Sequence, residues 1–292
     1  MPHTTLVPSG PFSLREAVRF GFGQRDAGPD DTTLRLGFCL DGTYEPVGVA
    51  VTQDDQVLHL AHDGPADGAA VRAQVARVLS VDVDGAPFAA LGDRDPVLGR
   101  LLAAAPGLRP PLFHSAYEAT AWSVLSARRP AAQMALVRRR LSEAAGTVLE
   151  VAGEPVPVFP SPGRLLEVLE FPGLTPEKVA RLHGLARAAL DGRLDTKRLR
   201  ALDPEIATEE LLRLRGIGPF SASLVVVRTL GHTDVLPVLE PRLLGLVGDL
   251  YGLGGPATAD QLARIAEPWR PYRTWACVLV RAAADRLSEV PA

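Results

Sequence analysis

Two stretches near the start of the chain alternate apolar and polar side chains: TTLRLGFCL, Thr32 to Leu40, and PVGVAVTQDDQVLHLAHDG, Pro46 to Gly64. A period of two sends every second side chain to one face, so each stretch predicts half-buried strand. DGT at 41–43 and QDDQ at 53–56 supply turn residues between them. The period then changes. PADGAAVRAQVARVL, from Pro65, places Val71, Val75 and Val78 on one side of a helix. Strands followed by a helix predict a small α+β domain, taken here as residues 1–110.

Beyond GLRPP, Gly107 to Pro111, helical spacing dominates. Ser115 followed by Glu118 reads as a capping box that opens a helix, Gly146 as a stop, and Pro130 as a break that leaves SARRP, Ser126 to Pro130, as a tight connection. Further helices are predicted in SPGRLLEVLEF, TPEKVARLHGLARAALDG, ATEELLRL, GPFSASLVVVRTL, EPRLLGLVGDLYG, TADQLARIA and YRTWACVLVRAAADRL. The most linker-like piece is TVLEVAGEPVPVFPSPG, Thr147 to Gly163. The fold class expected is α+β, with a small antiparallel sheet first and a mostly helical region of two subdomains over 111–292.

At 292 residues and 47% hydrophobic, the chain can bury a core large enough for two or three domains. A formal charge of −3 argues against a protein that coats nucleic acid, but leaves room for a local basic patch. Lys178 and Lys197 are the only lysines, so the positive charge is arginine, the better bidentate partner for phosphate. Cys39 and Cys277 stand far apart and read as buried free thiols rather than as ligands or a disulfide. His114, His183 and His232 have no second ligand at metal spacing. No run of about 18 apolar residues is present, so no membrane is expected and the cytoplasm, next to the nucleoid, is the expected location.

The stretch LLRLRGIGPFSASLVVVRTLGHTDVLPVLEPRL, Leu211 to Leu243, carries the chemistry. It reads as helix, tight turn, helix over 207–230. Gly216 and Gly218 permit positive φ and clear space for a ligand, and Pro219 suits the first position of the second helix. The turn amides and that helix N-terminus together make a site for an anion, for which a nucleic-acid phosphate is the natural occupant. A Pro-containing loop then sets Glu240 before Pro241 at the start of another helix, where a carboxylate can serve as an N-cap.

This hairpin, loop and carboxylate resemble the helix-hairpin-helix (HhH-GPD) DNA glycosylases, and within them the bacterial 3-methyladenine-DNA glycosylase II group. VDVDGAPFAALGDRDPVLGRLLAAAPGLRPPLFHSAYEATAWSVL, FPSPGRLLEV, GLARAALDGRLD and WRPYRTWA match that group in placement. The resemblance implies a base-excision repair enzyme that flips an alkylated base out of damaged duplex DNA. It implies Glu240 as the catalytic carboxylate, although the family carries aspartate there. Arg215, Gly216, Ile217, Gly218, Phe220 and Ser221 would hold the DNA backbone. Arg128 and Arg129, in SARRP where the family has a Gly-Gln-x-x-Ser type loop, would fill the gap left by the base.

The base pocket implied is Phe220, Leu224, Tyr272, Trp275 and Arg281, with Leu224 and Arg281 standing where alkylation-specific members carry rings. Phe220 also occupies the position of the Schiff-base lysine of bifunctional members, so simple hydrolysis is expected. No cofactor is expected, with room only for a monovalent cation at the hairpin, and the protein is expected to act as a monomer. Two other readings stand beside this one: a damage-binding protein that has kept the fold and lost the chemistry, and a helical scaffold for protein partners. Among the other polar residues, Asp234 reads as a loop closure, Asp249 as surface charge, Glu118 as a cap, and Trp122 and Trp269 as core.

Overall fold

The computed structural model describes residues 3–21, 32–63 and 66–288. Gly64 and Pro65, at the junction of the second predicted strand run and the first predicted helix, lie outside the described residues. The chain opens with β1 (His3–Leu6), α1 (Leu14–Phe20), β2 (Thr33–Cys39), β3 (Pro46–Asp54), β4 (Val57–Asp63) and α2 (Gly68–Val78). The four strands form one antiparallel sheet in the order β1-β4-β3-β2. Their alternation does what a period of two requires: Leu34, Leu36, Phe38, Val47, Val49, Val51, Leu58 and Leu60 are buried in one core with Val71, Val75 and Val78 of α2.

α1 and β1 are not apparent from the alternation, yet α1 has a local signal. Ser13 accepts a hydrogen bond from the Glu16 amide, an S-x-x-E start within SLRE.

Then come α3 (Ala86–Ala89), α4 (Pro96–Ala104), α5 (Ala116–Ser126), α6 (Ala131–Ala145), β5 (Thr147–Val151), β6 (Glu154–Val158), α7 (Pro162–Leu166), α8 (Pro176–Leu190) and α9 (Thr196–Arg200). The chain closes with α10 (Pro204–Leu212), α11 (Pro219–Arg228), α12 (Pro241–Leu250), α13 (Ala259–Ile265) and α14 (Arg273–Ala283).

The segment expected to be a linker is a hairpin. β5 and β6 pair antiparallel about Ala152 and Gly153, both with positive φ. Gly37 and Gly48, opposite each other in β2 and β3, leave a trough for it: a Cβ on Gly37 would stand 2.6 Å from Val156 Cγ1, and one on Gly48 2.5 Å from Val151 Cγ2. The prolines of EPVPV disguise this strand as a connection.

Three cores organise the molecule. The sheet core is the first. The second joins Phe113 through Leu230, with α5 at its centre and buried from Ala116 to Leu125. The third joins Phe88, Leu91, Leu98, Leu101 and Leu108 to the C-terminal helices through Leu243, Trp269 and Trp275. The segment from α3 to Leu108 thus packs with the C-terminal helices.

At the seam between sheet and helices, Glu118 is fully buried. It accepts from Arg138 at 2.7 Å and from the Cys39 amide at 3.3 Å, and faces His114 at 3.4 Å. Ser115 caps α5 by accepting from the Glu118 amide, but the Glu118 side chain does not return to complete a capping box, being held in this cluster instead. Cys39 and Cys277 are buried free thiols.

Candidate active site and nucleic-acid interface

α10 and α11 form the predicted hairpin. Its first glycine is required by conformation: Gly216 has φ +96°, open to glycine at little cost, and a Cβ there would lie 2.9 Å from Arg181 Cδ and 3.4 Å from Val124 Cγ2. Gly218 has an ordinary φ of −97° and nothing near its missing Cβ, so its role is to leave the turn's outer face open. Ile217 points inward, 6% exposed, and its amide closes the turn onto Leu214 O at 3.1 Å. Gly218 is the N-cap of α11 and offers no capping side chain, while Pro219 has no amide to satisfy. The amides of Phe220 and Ser221 in the first turn therefore have no side-chain cap, the arrangement that receives an anion.

The neighbouring surface is basic. α5 ends at the SARRP turn, where Arg128 takes φ +57° and both Arg128 and Arg129 are exposed. Lys178 of α8 donates to the carbonyls of Leu125 and Ala127, closing the open end of α5. Burial first, then the nearby charges of Arg129 and Arg181, lower the Lys178 ammonium from its ordinary value. Through Val124 and Arg181 the hairpin turn touches both α5 and α8, so exposed Arg215, half-buried Lys178 and the exposed SARRP arginines lie on adjoining elements.

Glu240 stands at the N-terminus of α12 as its N-cap. Oε1 accepts from the Arg242 amide at 3.2 Å and Oε2 from the Leu243 amide at 2.9 Å. The same carboxylate is also ion-paired, with Arg281 Nε of α14 2.7 Å from Oε2. Cap and chemistry are thus compatible, because the side chain reaches a cavity while its oxygens rest on the helix. The loop before it is held by Asp234, which accepts from Arg273 Nε at 2.7 Å and from Arg270 at 2.8 Å, and by Thr274, whose hydroxyl exchanges hydrogen bonds with the backbone of Val235.

The cavity beside Glu240 has a volume of about 190 Å³. Its walls come from α11 (Phe220, Leu224, Arg228), from α12 and the loop before it (Leu239, Glu240, Leu243), from α14 (Cys277, Val278, Arg281) and from Phe20 of α1. Phe220 and Leu239 are half-exposed at its rim. Phe220 thus links the phosphate end of α11 to the cavity. Burial pushes the Cys277 thiol far up, which leaves it an inert wall.

The predicted pocket residues divide. Phe220, Leu224 and Arg281 meet Glu240 around the cavity; Tyr272 and Trp275 do not line it. Tyr272 donates to Asp84 O at 2.8 Å, and Trp275 packs edge-on against Phe88 with ring centres 5.2 Å apart, so both belong to the third core. Helical period explains the division. The face of α14 that carries Trp275 and Leu279 turns inward, whereas Cys277, Val278 and Arg281 reach the cavity. Arg128 and Arg129 also stay outside its lining. Phe20, Arg228 and Cys277 are additions that the sequence does not point to. The cavity draws Phe20 from α1, distant in the chain, and Arg228 from the far end of α11, and no local pattern announces either. Among the described residues no group of acids, histidines and cysteines could hold a metal ion.

No protein-family model matches the chain. It is 27% identical over 202 residues to the DNA-3-methyladenine glycosylase of Bacillus subtilis (strain 168), a match covering 68% of this chain and 67% of that protein. It is 32% identical over 187 residues to DNA-3-methyladenine glycosylase 2 of Escherichia coli (strain K12), covering 61% of each. The fold superimposes on the 3-methyladenine DNA-glycosylase of Archaeoglobus fulgidus with a TM-score of 0.79, covering 98% of this chain and 100% of that one at 20% identity. In sequence the chain is thus similar to DNA-3-methyladenine glycosylases of two bacteria, and in fold to a 3-methyladenine DNA-glycosylase.

Proposed function

We propose that this protein is a DNA glycosylase of base-excision repair that releases alkylated bases of the 3-methyladenine type from damaged duplex DNA by simple hydrolysis. The observation that carries the reading is Glu240. It is a carboxylate at the wall of a small cavity, on the loop that follows a helix-hairpin-helix with an uncapped second helix.

In this reading the hairpin amides hold a phosphate, while Arg128 and Arg129 support the duplex where a base has left the stack. The flipped base enters between Phe220 and Leu224. As the C1′–N bond lengthens, positive charge grows on the deoxyribose, and the Glu240 carboxylate stabilises it and takes the proton of the attacking water. Arg281 fixes the carboxylate in place. Imine chemistry is not expected: Phe220 stands at the hairpin helix, and of the two lysines Lys178 is bound to backbone carbonyls while Lys197 lies on α9. The protein would act in the cytoplasm on DNA, as a monomer and without a cofactor, the hairpin leaving room for a monovalent cation. No helix among the described residues is long and apolar enough to cross a membrane.

The test is base release from methylated duplex DNA under single-turnover conditions, with products identified by mass and strand integrity followed on a gel. Free 3-methyladenine with strands that break only on later alkali treatment supports the reading. Strand scission without alkali contradicts its hydrolytic part, and no release contradicts the enzyme.

A further inference from the structure

Away from the cavity, one surface is basic beyond what the fold uses. α8 turns Gly184, Arg187 and Asp191 to solvent, three and four residues apart on one face, with Arg181 beside them. The hairpin turn meets this face at one end, where Arg181 Cδ stands against Gly216. At the other end Asp191, Gly192 and Arg193 join Arg198, Glu210 and Arg213 around a cleft of about 490 Å³, larger than the cavity beside Glu240. Two of the acids are committed: Glu210 accepts from Arg198 Nη2 at 2.6 Å, and Glu177 from Arg181 Nη2 at 2.5 Å. Arg187, Arg193, Arg213 and Arg215 make no side-chain hydrogen bond or ion pair among the described residues. Of the acids on this face and in this cleft, Asp191 alone is left to oppose them, in a chain whose formal charge is −3.

Gly184 adds a second sign. Glycine is a poor helix former, yet this one sits inside α8, and nothing lies within 4 Å of its missing Cβ. Packing does not ask for it; room for a body approaching α8 from outside does. At 1.5 Å per residue the 15 residues of α8 span about 22 Å, the axial length of about six base pairs. Resting on the reading that the hairpin holds a phosphate near the lesion, we propose that α8 and the cleft at its end form a track for the duplex arm beyond the lesion. Arg187, Arg193 and Arg213 take phosphates of that arm, and Gly184 lets the backbone come close. Continuity with the hairpin turn selects DNA over an acidic protein segment, since the duplex must leave the hairpin across one of its sides. Such contacts add affinity without reading sequence.

The experiment measures anisotropy with abasic-site duplexes in which one arm has about 4 base pairs, ending short of the cleft, or about 10, passing it; the sides are then exchanged. On one side, wild type should bind the long arm about 10- to 100-fold more tightly at low salt, with a slope of log K against log salt steeper by about 2–3, as three phosphates require. Replacing Arg187, Arg193 and Arg213 together by alanine should bring the ratio of short-arm to long-arm Kd near one and remove the extra slope. Gly184→Leu changes no charge. It should melt no lower than wild type, leucine being the better helix former, and still lower the ratio. Should the triple variant fail to fold, Gly184→Leu decides. A ratio near one for wild type on both sides would overturn the track, as would an unchanged ratio in either folded variant. Failure of wild type to bind any of the duplexes would instead overturn the DNA reading of the hairpin.

Discussion

Gly218→Asp separates fold from function at the hairpin. Gly218 has φ −97° and ψ 178°, allowed to any residue, and nothing lies within reach of an added Cβ. It is also the N-cap of α11, a position where aspartate is favoured over glycine by a few tenths of a kcal/mol. The variant should therefore melt no lower than wild type, and slightly higher if the new carboxylate bonds the Phe220 or Ser221 amide. That bond is what a phosphate would need. Capturing the amides from within and adding a negative charge should remove at least one charge-assisted hydrogen bond, worth about 1.5–3 kcal/mol, so Kd for an abasic-site duplex should rise about 10- to 150-fold. Fluorescence anisotropy over a salt series is the assay. The slope of log K against log salt should shrink by about 0.9 for each phosphate the protein no longer neutralises. An intact variant with unchanged affinity and slope would take the hairpin out of the DNA interface.

Two more predictions concern the surroundings. Replacing Arg128 and Arg129 together by alanine should weaken binding to abasic duplex more than to intact duplex in paired titrations; equal losses would make them ordinary phosphate contacts. Glu118 should make stability acid-sensitive. Burial raises its carboxyl, but His114, Arg138 and the Cys39 amide outweigh this and hold it below the ordinary carboxylate range. A lowered folded value means its contribution is complete above about pH 4.3 and fades as pH drops through the folded value. Glu118→Gln should cost about 3–5 kcal/mol at pH 7, and a melting series from pH 7 to pH 3 should find the gap to wild type closing only at the acid end. A gap constant with pH would contradict the ion-pair account.

What is legible in the sequence follows from local physics. Period-two runs mark β2, β3 and β4; start and stop residues mark α5, α6, α8 and the hairpin; and the Pro-containing loop marks the place of Glu240. What stays hidden depends on packing between distant segments. β5 and β6 are strands because a trough at Gly37 and Gly48 receives them, against the local signal of their prolines. Glu118 looks like half of a capping box, and only the approach of β2 and Arg138 turns it into a buried ion pair. At the site, Glu240, Phe220, Leu224 and Arg281 are readable through the resemblance. Arg228 and Phe20 are not, since nothing near either in the chain foretells the other.

Glu240 remains the centre of the account. Single-turnover release of 3-methyladenine should be measured for wild type, Glu240→Gln and Glu240→Asp, with each variant checked by melting and by binding to abasic duplex. Glu240→Gln can still accept one helix amide but loses its charge and the pairing with Arg281. It should lose about 100-fold or more in rate while the fold and DNA affinity persist. Glu240→Asp retains the charge and the cap on a side chain one methylene shorter, so it should remain far above Glu240→Gln. Equal release by all three folded, DNA-binding proteins would make Glu240 a helix cap alone and the protein a binder of damaged DNA.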